Sequence, residues 1–313
     1  MPGLFIPSAP VQWCWTTLSG PDARDFLHRV STVNVRDLEP GHGAPGFFLN
    51  PQGRIRAWFR LWCFGRDDFS FEYDAGSSGH WRQELLQAID QYTFAERMQL
   101  ADLSAELSCR WIVADSPEAT LTIASCPAPG QTIALSEEIR LCHQGSRDFG
   151  RAWVTAWGRE ARLEQWIDRS LPEARRMGFG ELDALRIEAN RPWLGHELTD
   201  QVLPLEIGLK DGIAENKGCY PGQEVIEKIV ALGSPPRRLA RIAGTGNPPR
   251  PGEKILNLAD PGVEVGEVTS VHASGGVFTA LGLLKKIHAK EGLEVRFSGG
   301  GGQGLIRGVA SYV

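Results

Sequence analysis

The sequence predicts an α+β protein: a mixed body over residues 1–235, with room for two subdomains, followed by a small β-barrel over residues 236–313. Three observations carry that prediction. Strand-like and helix-like stretches follow one another irregularly up to residue 235 instead of alternating one by one as in a parallel sheet. From Arg237 onward the apolar runs are short and separated by Gly- and Pro-rich turns, the pattern of a barrel or small sandwich. The 313 residues also exceed what one hydrophobic core usually organises.

Residues 11–18 are aromatic and β-branched and read as a strand. A helix follows, with Ser19 as its cap, Pro21 in its first turn, and Ala23, Phe26, Leu27 and Val30 along one face. Residues 32–46 are polar and turn-rich and lead into a hairpin whose loop is Asn50-Pro51-Gln52-Gly53. Residues 54–64 and 69–73 read as strands on either side of the turn at 65–68. A helix over 79–92 carries Trp81, Leu85, Ile89 and Tyr92 along one side, and short strands are expected at 98–103, 107–114, 119–124 and 151–157.

Helices over 160–171 and 180–189 come next, the first with Leu163, Trp166, Ile167 and Leu171 on one face, the second holding Leu182 and Leu185. Asn190 and Pro192 end the second, because the proline ring blocks continuation and restricts the residue before it. Glu188 then sits in a last turn, the unfavourable end of the helix dipole for a carboxylate, so it is either solvated or held by a specific partner. Another helix starts at Pro221, carries Val225, Ile226, Ile229 and Val230, and stops at Gly233 and Pro235-Pro236. The barrel strands are expected at 239–243, 254–258, 263–271, 277–283, 293–297 and 305–312. The glycine run 299–302 reads as a hairpin loop, since no Gly-Lys-Ser/Thr follows it and no helix opens there.

Composition narrows the class of function. An apolar fraction of 42% and a charged fraction of 23% are those of an ordinary folded protein. The net charge of -5 argues against a general nucleic-acid binder, though not against a local basic patch. No stretch near the N-terminus resembles a signal peptide and no apolar run approaches the roughly 18 residues needed to span a bilayer, so a cytoplasmic protein without membrane contact is expected. The six cysteines are scattered, lack metal-type spacing, and are expected to be reduced; no metal is expected from local ligands. The histidines form no pair at helical ligand spacing, and no Gly-x-Ser-x-Gly elbow supports a hydrolase. Arg237, Arg238 and Arg241, like Lys285, Lys286 and Lys290, read as a solvated charged face, with an anion site as the alternative.

Two stretches carry chemistry. Lys-Gly-Cys-Tyr-Pro-Gly-Gln-Glu at 217–224 sets the Cys219 thiol between glycines, beside Lys217 and ahead of a helix start. A neighbouring ammonium and a helix N-terminus both favour thiolate, but a partly buried structural cysteine in a turn is an equal reading from chemistry alone. Residues 186–197 gather two guanidiniums, two carboxylates, an indole and an imidazole around a helix end. A carboxylate there suits the amino edge of a pyrimidine, which needs two acceptors in one plane. The residue types by themselves favour the plainer view, with Arg186 and Glu188 as surface charges and Trp193 as a core anchor.

The motif at 217–224 resembles the signature of the YgfZ-like folate-binding proteins, within the superfamily of the glycine-cleavage T-protein, an aminomethyltransferase. The resemblance extends to 20–27, 50–54, 185–197 and 265–270. It implies a T-protein-like folate-binding body with a central hole, followed by a C-terminal barrel. It also implies an accessory role in assembly or maintenance of iron–sulfur proteins, with radical tRNA-modifying enzymes among the clients and any cluster contact transient. By resemblance Cys219 is the functional thiol, assisted by Lys217, and Glu188 contacts the pterin of tetrahydrofolate or a derivative. Tyr220 would wall the pocket, Gly218 and Gly222 would let the backbone approach the ligand, and Lys228 would meet the folate tail as a point charge where similar chains carry arginine. T-proteins have an aspartate shortly after the hairpin glycine that assists aminomethyl transfer; residues 54–58 here, Arg-Ile-Arg-Ala-Trp, have no carboxylate. The absence near Trp58 argues against a true aminomethyltransferase, which stands as the alternative function.

Overall fold

The computed structural model describes residues 3–6, 11–115, 126–145 and 148–312; the strand expected at 119–124 lies outside them. The chain forms two compact units that interleave in sequence. One comprises Met1–Asn50, Arg56–Phe179 and Asp211–Pro221, the other Pro51–Ile55, Gly180–Lys210 and Gly222–Val313.

The first unit runs β1 (Gly3–Phe5), β2 (Trp13–Ser19), α1 (Ala23–Val30), β3 (Gly43–Leu49), β4 (Ile55–Gly65), β5 (Asp68–Asp74), α2 (His80–Tyr92) and β6 (Gln99–Asp102). It continues through β7 (Ser108–Ala114), β8 (Thr132–Ala134), β9 (Ile139–His143), β10 (Ala152–Gly158), α3 (Glu160–Ser170) and β11 (Arg175–Met177). Two sheets result, ordered β3-β4-β5-β2-β6 and β11-β1-β7-β10-β9-β8. The apolar stripes of α1 and α2 bury Phe26, Leu27, Leu85 and Ile89 with Leu18, Leu61 and Phe71 of the first sheet. Leu163 and Ile167 of α3 join Ile112, Val154 and Ala156 of the second. The two sheets meet through edge-on indoles, with Trp13 against Trp111 at 4.7 Å and Trp15 against Trp157 at 4.9 Å between ring centres.

Several expectations shift by a few residues for clear reasons. Ser19 does not cap α1; it ends β2, paired with Asp68, and Asp22 takes the cap position. The Asp22 carboxylate is drawn away to accept the Arg97 backbone N–H at 2.8 Å. The stretch 32–46 is not all turn, since β3 begins at Gly43. Strands β1, β8 and β11 have three residues each, too few to show a periodicity.

The second unit contains α4 (Phe179–Glu188) from Gly180 on, α5 (Gln223–Ala231) and the strands β12 (Arg237–Thr245), β13 (Lys254–Asn257), β14 (Glu264–Ser274), β15 (Val277–Lys285), β16 (Glu294–Phe297) and β17 (Gln303–Val309). All six strands fall where the short apolar runs predict them and close into a barrel, β12-β15-β14-β13-β16-β17. Its interior is filled by Ile242, Ile255, Val265, Val268, Phe278, Leu284, Val295, Phe297 and Ile306. The 299–302 glycine run joins β16 to β17. A register shift between Val268 and Ser270 bends β14 and brings Ser270, 2% exposed, to the inside of its local packing.

Pro221 is not the first helical residue. α5 begins at Gln223, and Gly222 caps it in the left-handed conformation with φ 82°, where a side chain would be strained. Ile226 and Ile229 are buried as expected, but Val230 is 49% exposed. The hairpin glycine Gly53 also has positive φ, 74°, and a Cβ there would come within 3.1 Å of Val225.

Candidate functional site

The Lys217 to Tyr220 stretch belongs to the first unit. Asn216 and Gly218 both adopt positive φ, 55° and 93°, so the backbone reverses on either side of Lys217. That turn sends the lysine inward, 6% exposed, and leaves Gly218 and Cys219 at the surface. Lys217 Nζ donates to the His28 carbonyl at 2.5 Å. His28 lies in the last turn of α1, where carbonyls lack intrahelical partners, so the lysine acts as a C-terminal cap. The ammonium also lies 4.9 Å from the centre of the half-buried Tyr220 ring.

Burial is the first cause of the electrostatics here. It pushes the Lys217 ammonium down to about 8, opposed by the charge of nearby Cys219 and helped by that of Arg36. His28, also buried, is held below its ordinary value by desolvation and then by Lys217. The expected fixed positive charge beside Cys219 is thus an amine that titrates near physiological pH. The expected helix contribution weakens as well, since Cys219 precedes the first helical residue by a full turn's worth of chain and a helix terminus acts mainly over its own first turn. Of the six cysteines, Cys219 is the exposed one; Cys126 is intermediate and Cys14, Cys63, Cys109 and Cys142 are buried.

The other expected site residues fall in the second unit. Glu188 ends α4, is exposed, and has no hydrogen-bond or ion-pair partner among the described residues, leaving both oxygens as free acceptors. Lys228 is exposed on α5 and Gly222 caps it. Arg186, read from the sequence as a surface charge, is instead 1% exposed. Its guanidinium bonds Asp183 and Glu197 and donates to Ser270 Oγ, each at 2.7 Å. Glu197 completes the network by accepting from Ser270 Oγ at 2.6 Å and the Trp193 N–H at 3.1 Å. Trp193 is half-buried, not a core anchor. The pair Arg186 and Glu197 spans the helix end the sequence singled out, but Ser270 arrives from a distant strand and leaves no local signal.

Arg237 is not simply a solvated charge: it forms a two-pronged pair with Glu206 at 2.8 and 2.9 Å, and Glu206 is 2% exposed. Next to this pair a cavity of about 330 Å³ is lined by His196, Glu197, Arg237, Lys254, Glu264 and Lys285 with their neighbours, and not by Cys219, Glu188 or Lys228.

The first unit holds one more site that the sequence reading missed. Glu72 of β5 is 1% exposed and accepts four hydrogen bonds. Oε1 takes the indole N–H groups of Trp13 at 2.9 Å and Trp157 at 2.8 Å; Oε2 takes that of Trp62 at 2.7 Å and the amide of Gln144 at 2.9 Å. Gln144 in turn accepts from Arg60 Nε at 2.9 Å. On β4, where T-proteins are expected to carry an aspartate, the Arg56 guanidinium reaches Glu84 at 3.2 Å and Gln91 at 2.6 Å.

No family model matches the chain. Glycine cleavage system aminomethyltransferase T from Bartonella henselae superposes on 100% of this chain and 86% of its own, with a TM-score of 0.83 and 19% identity. A mitochondrial aminomethyltransferase of Pisum sativum is 32% identical over 281 residues, 82% of this chain and 65% of that protein. The tRNA-modifying protein YgfZ of Klebsiella pneumoniae is 25% identical over 274 residues, 79% of this chain and 75% of the relative. The fold is therefore the aminomethyltransferase fold, an α+β body with a six-stranded C-terminal barrel. Along most of its length the chain is similar in sequence to proteins that bear the name aminomethyltransferase. It spans 64–66% of the length of the first curated relatives it matches.

Proposed function

We propose that this chain is a tetrahydrofolate-binding accessory protein for the assembly or maintenance of iron–sulfur proteins in the cytoplasm, with Cys219 as its working thiol. The observation that carries the reading is the surface placement of Cys219, the exposed cysteine of the chain, beside the buried amine of Lys217. Likeness to a tRNA-modifying protein along most of the chain supports it. Glu188 fits a pterin: it is exposed, and its paired acceptors are not used by the protein. Lys228 fits a carboxylate tail, and Tyr220 supplies a ring at the motif. The folate would bring one-carbon chemistry; Glu188 and Lys228 would bind and orient it. Iron–sulfur clients, including radical enzymes that modify tRNA, would meet Cys219 transiently.

Complementation tests the thiol. Cys219→Ala should fold and retain folate affinity while losing function in a strain without its own copy, and full complementation would sink the role given to the cysteine. Calorimetry tests the folate. Glu188→Ala should weaken binding of a reduced folate at least about tenfold, the loss of about 1.4 kcal/mol expected for charge-assisted hydrogen bonds.

Aminomethyl transfer is the second reading, favoured by relatives that bear that name. Against it, residues 54–58 contain no carboxylate and Arg56 engages Glu84 and Gln91. Robust formation of methylenetetrahydrofolate with an aminomethyl carrier protein would reverse the order of the two readings.

A further inference from the structure

We propose that Lys217 and Cys219 form a capture site for a small aldehyde, joining the ε-amine and the thiol through its carbonyl carbon. The proposal rests on Cys219 as the working thiol and goes beyond it by naming a second nucleophile and a substrate class. Two nucleophiles of different chemistry stand one glycine apart, and the left-handed Gly218 between them has open space where a side chain would be. Lys217 has no carboxylate partner among the described residues; its ammonium rests on one carbonyl and one ring face. Cys219 is near enough for its charge to act on that ammonium. Behind them His28 is 7% exposed, and its ring Nδ1 has no hydrogen-bond partner.

This arrangement supplies what aldehyde capture requires. The amine must shed its proton to attack, and burial, only partly offset by the charge of Cys219, makes that easier near neutral pH. The thiol must be reachable, and it lies at the surface. Lys217 is 6% exposed and Cys219 lies at the surface, so the carbon that links them must be small, and formaldehyde-sized aldehydes are the class that fits.

The reaction balances without an oxidant. The neutral amine adds to the carbonyl carbon, and the resulting hydroxyl leaves as water, giving an iminium. The Cys219 sulfur then adds to the same carbon. The C=O bond is broken, one C–N and one C–S bond form, and one proton from the amine and one from the thiol depart with the oxygen. The second bond closes within one turn of chain, so it has the advantage of an intramolecular step.

Formaldehyde is the probe, applied to the full chain without folate. The peptide containing residues 217–219 should gain the mass of one carbon, and the Cys219 thiol titre should fall in parallel. Half-loss of titre should need on the order of tenfold more formaldehyde in Lys217→Met than in the unaltered protein. Should that variant not fold, mass mapping of the unaltered chain decides alone. Equal loss of titre with and without the lysine, or no carbon on that peptide, overturns the proposal. Alkylation by iodoacetamide separates the two ideas. A Cys219 that alkylates but forms no bridge defeats the capture site only, whereas one that does not alkylate defeats the working-thiol reading along with it.

Discussion

Replacing Glu72 by Gln changes one carboxylate oxygen into an amide nitrogen at constant shape. The native group accepts from Trp13 and Trp157 on one oxygen and from Trp62 and Gln144 on the other. Indole nitrogens can only donate, so whichever oxygen is replaced, two donors face a donor. Each stranded buried donor costs about 1–3 kcal/mol, so the loss is roughly 2–6 kcal/mol. Removing a buried charge returns some desolvation energy, and the lower half of that range is expected for this reason. Chemical denaturation followed by tryptophan fluorescence is the assay, since three of the four donors are themselves the reporters. A loss below about 0.5 kcal/mol, the scatter of ordinary surface substitutions, would refute the argument that these donors require two acceptor oxygens.

Other perturbations follow the same reasoning. Arg186→Ala leaves Glu197, with its side chain 0% exposed, as an uncompensated buried carboxylate. It should cost about 3–5 kcal/mol in denaturation experiments. The Lys217 amine has a folded value of about 8, below its ordinary value, so between these limits the unfolded chain binds more protons and stability rises with pH. Lys217→Met should abolish that increment, seen by comparing denaturation midpoints at pH near 8 and near 10. A variant whose midpoints rise like those of the unaltered chain would place the titration elsewhere. His28, held below its ordinary value by burial, should give a loss of stability on acidification below the range of a free histidine.

Much of the architecture was legible before any tertiary contact. The six barrel strands were visible because each is a short apolar run between glycine or proline turns, and such runs record local backbone preference. Helices α1 to α4 were visible for a similar reason, as apolar residues return to one face every three or four positions. Cys219 stood out through its neighbours Gly218 and Lys217, and Glu188 through its position at a helix end. What the chain could not announce was the destination of its polar side chains. Glu72 alternates with Phe71 and Tyr73 along β5 as a solvent-facing residue would, yet a second sheet covers that face and supplies its donors. Arg186 has the look of a surface charge until a shifted strand brings Ser270 to it.

The same division runs through the 217–224 motif. Sequence by itself determined which residues stand together there: a thiol, an amine and the glycines that let the backbone turn. Tertiary structure alone decided that Lys217 turns inward to cap α1 while Cys219 stays outside, and that the helix waits until Gln223. The physical reason is that burial is a property of the surroundings. One fold of the chain over Lys217 converts an ordinary surface ammonium into an amine that titrates near 8, and no residue within the motif carries that information.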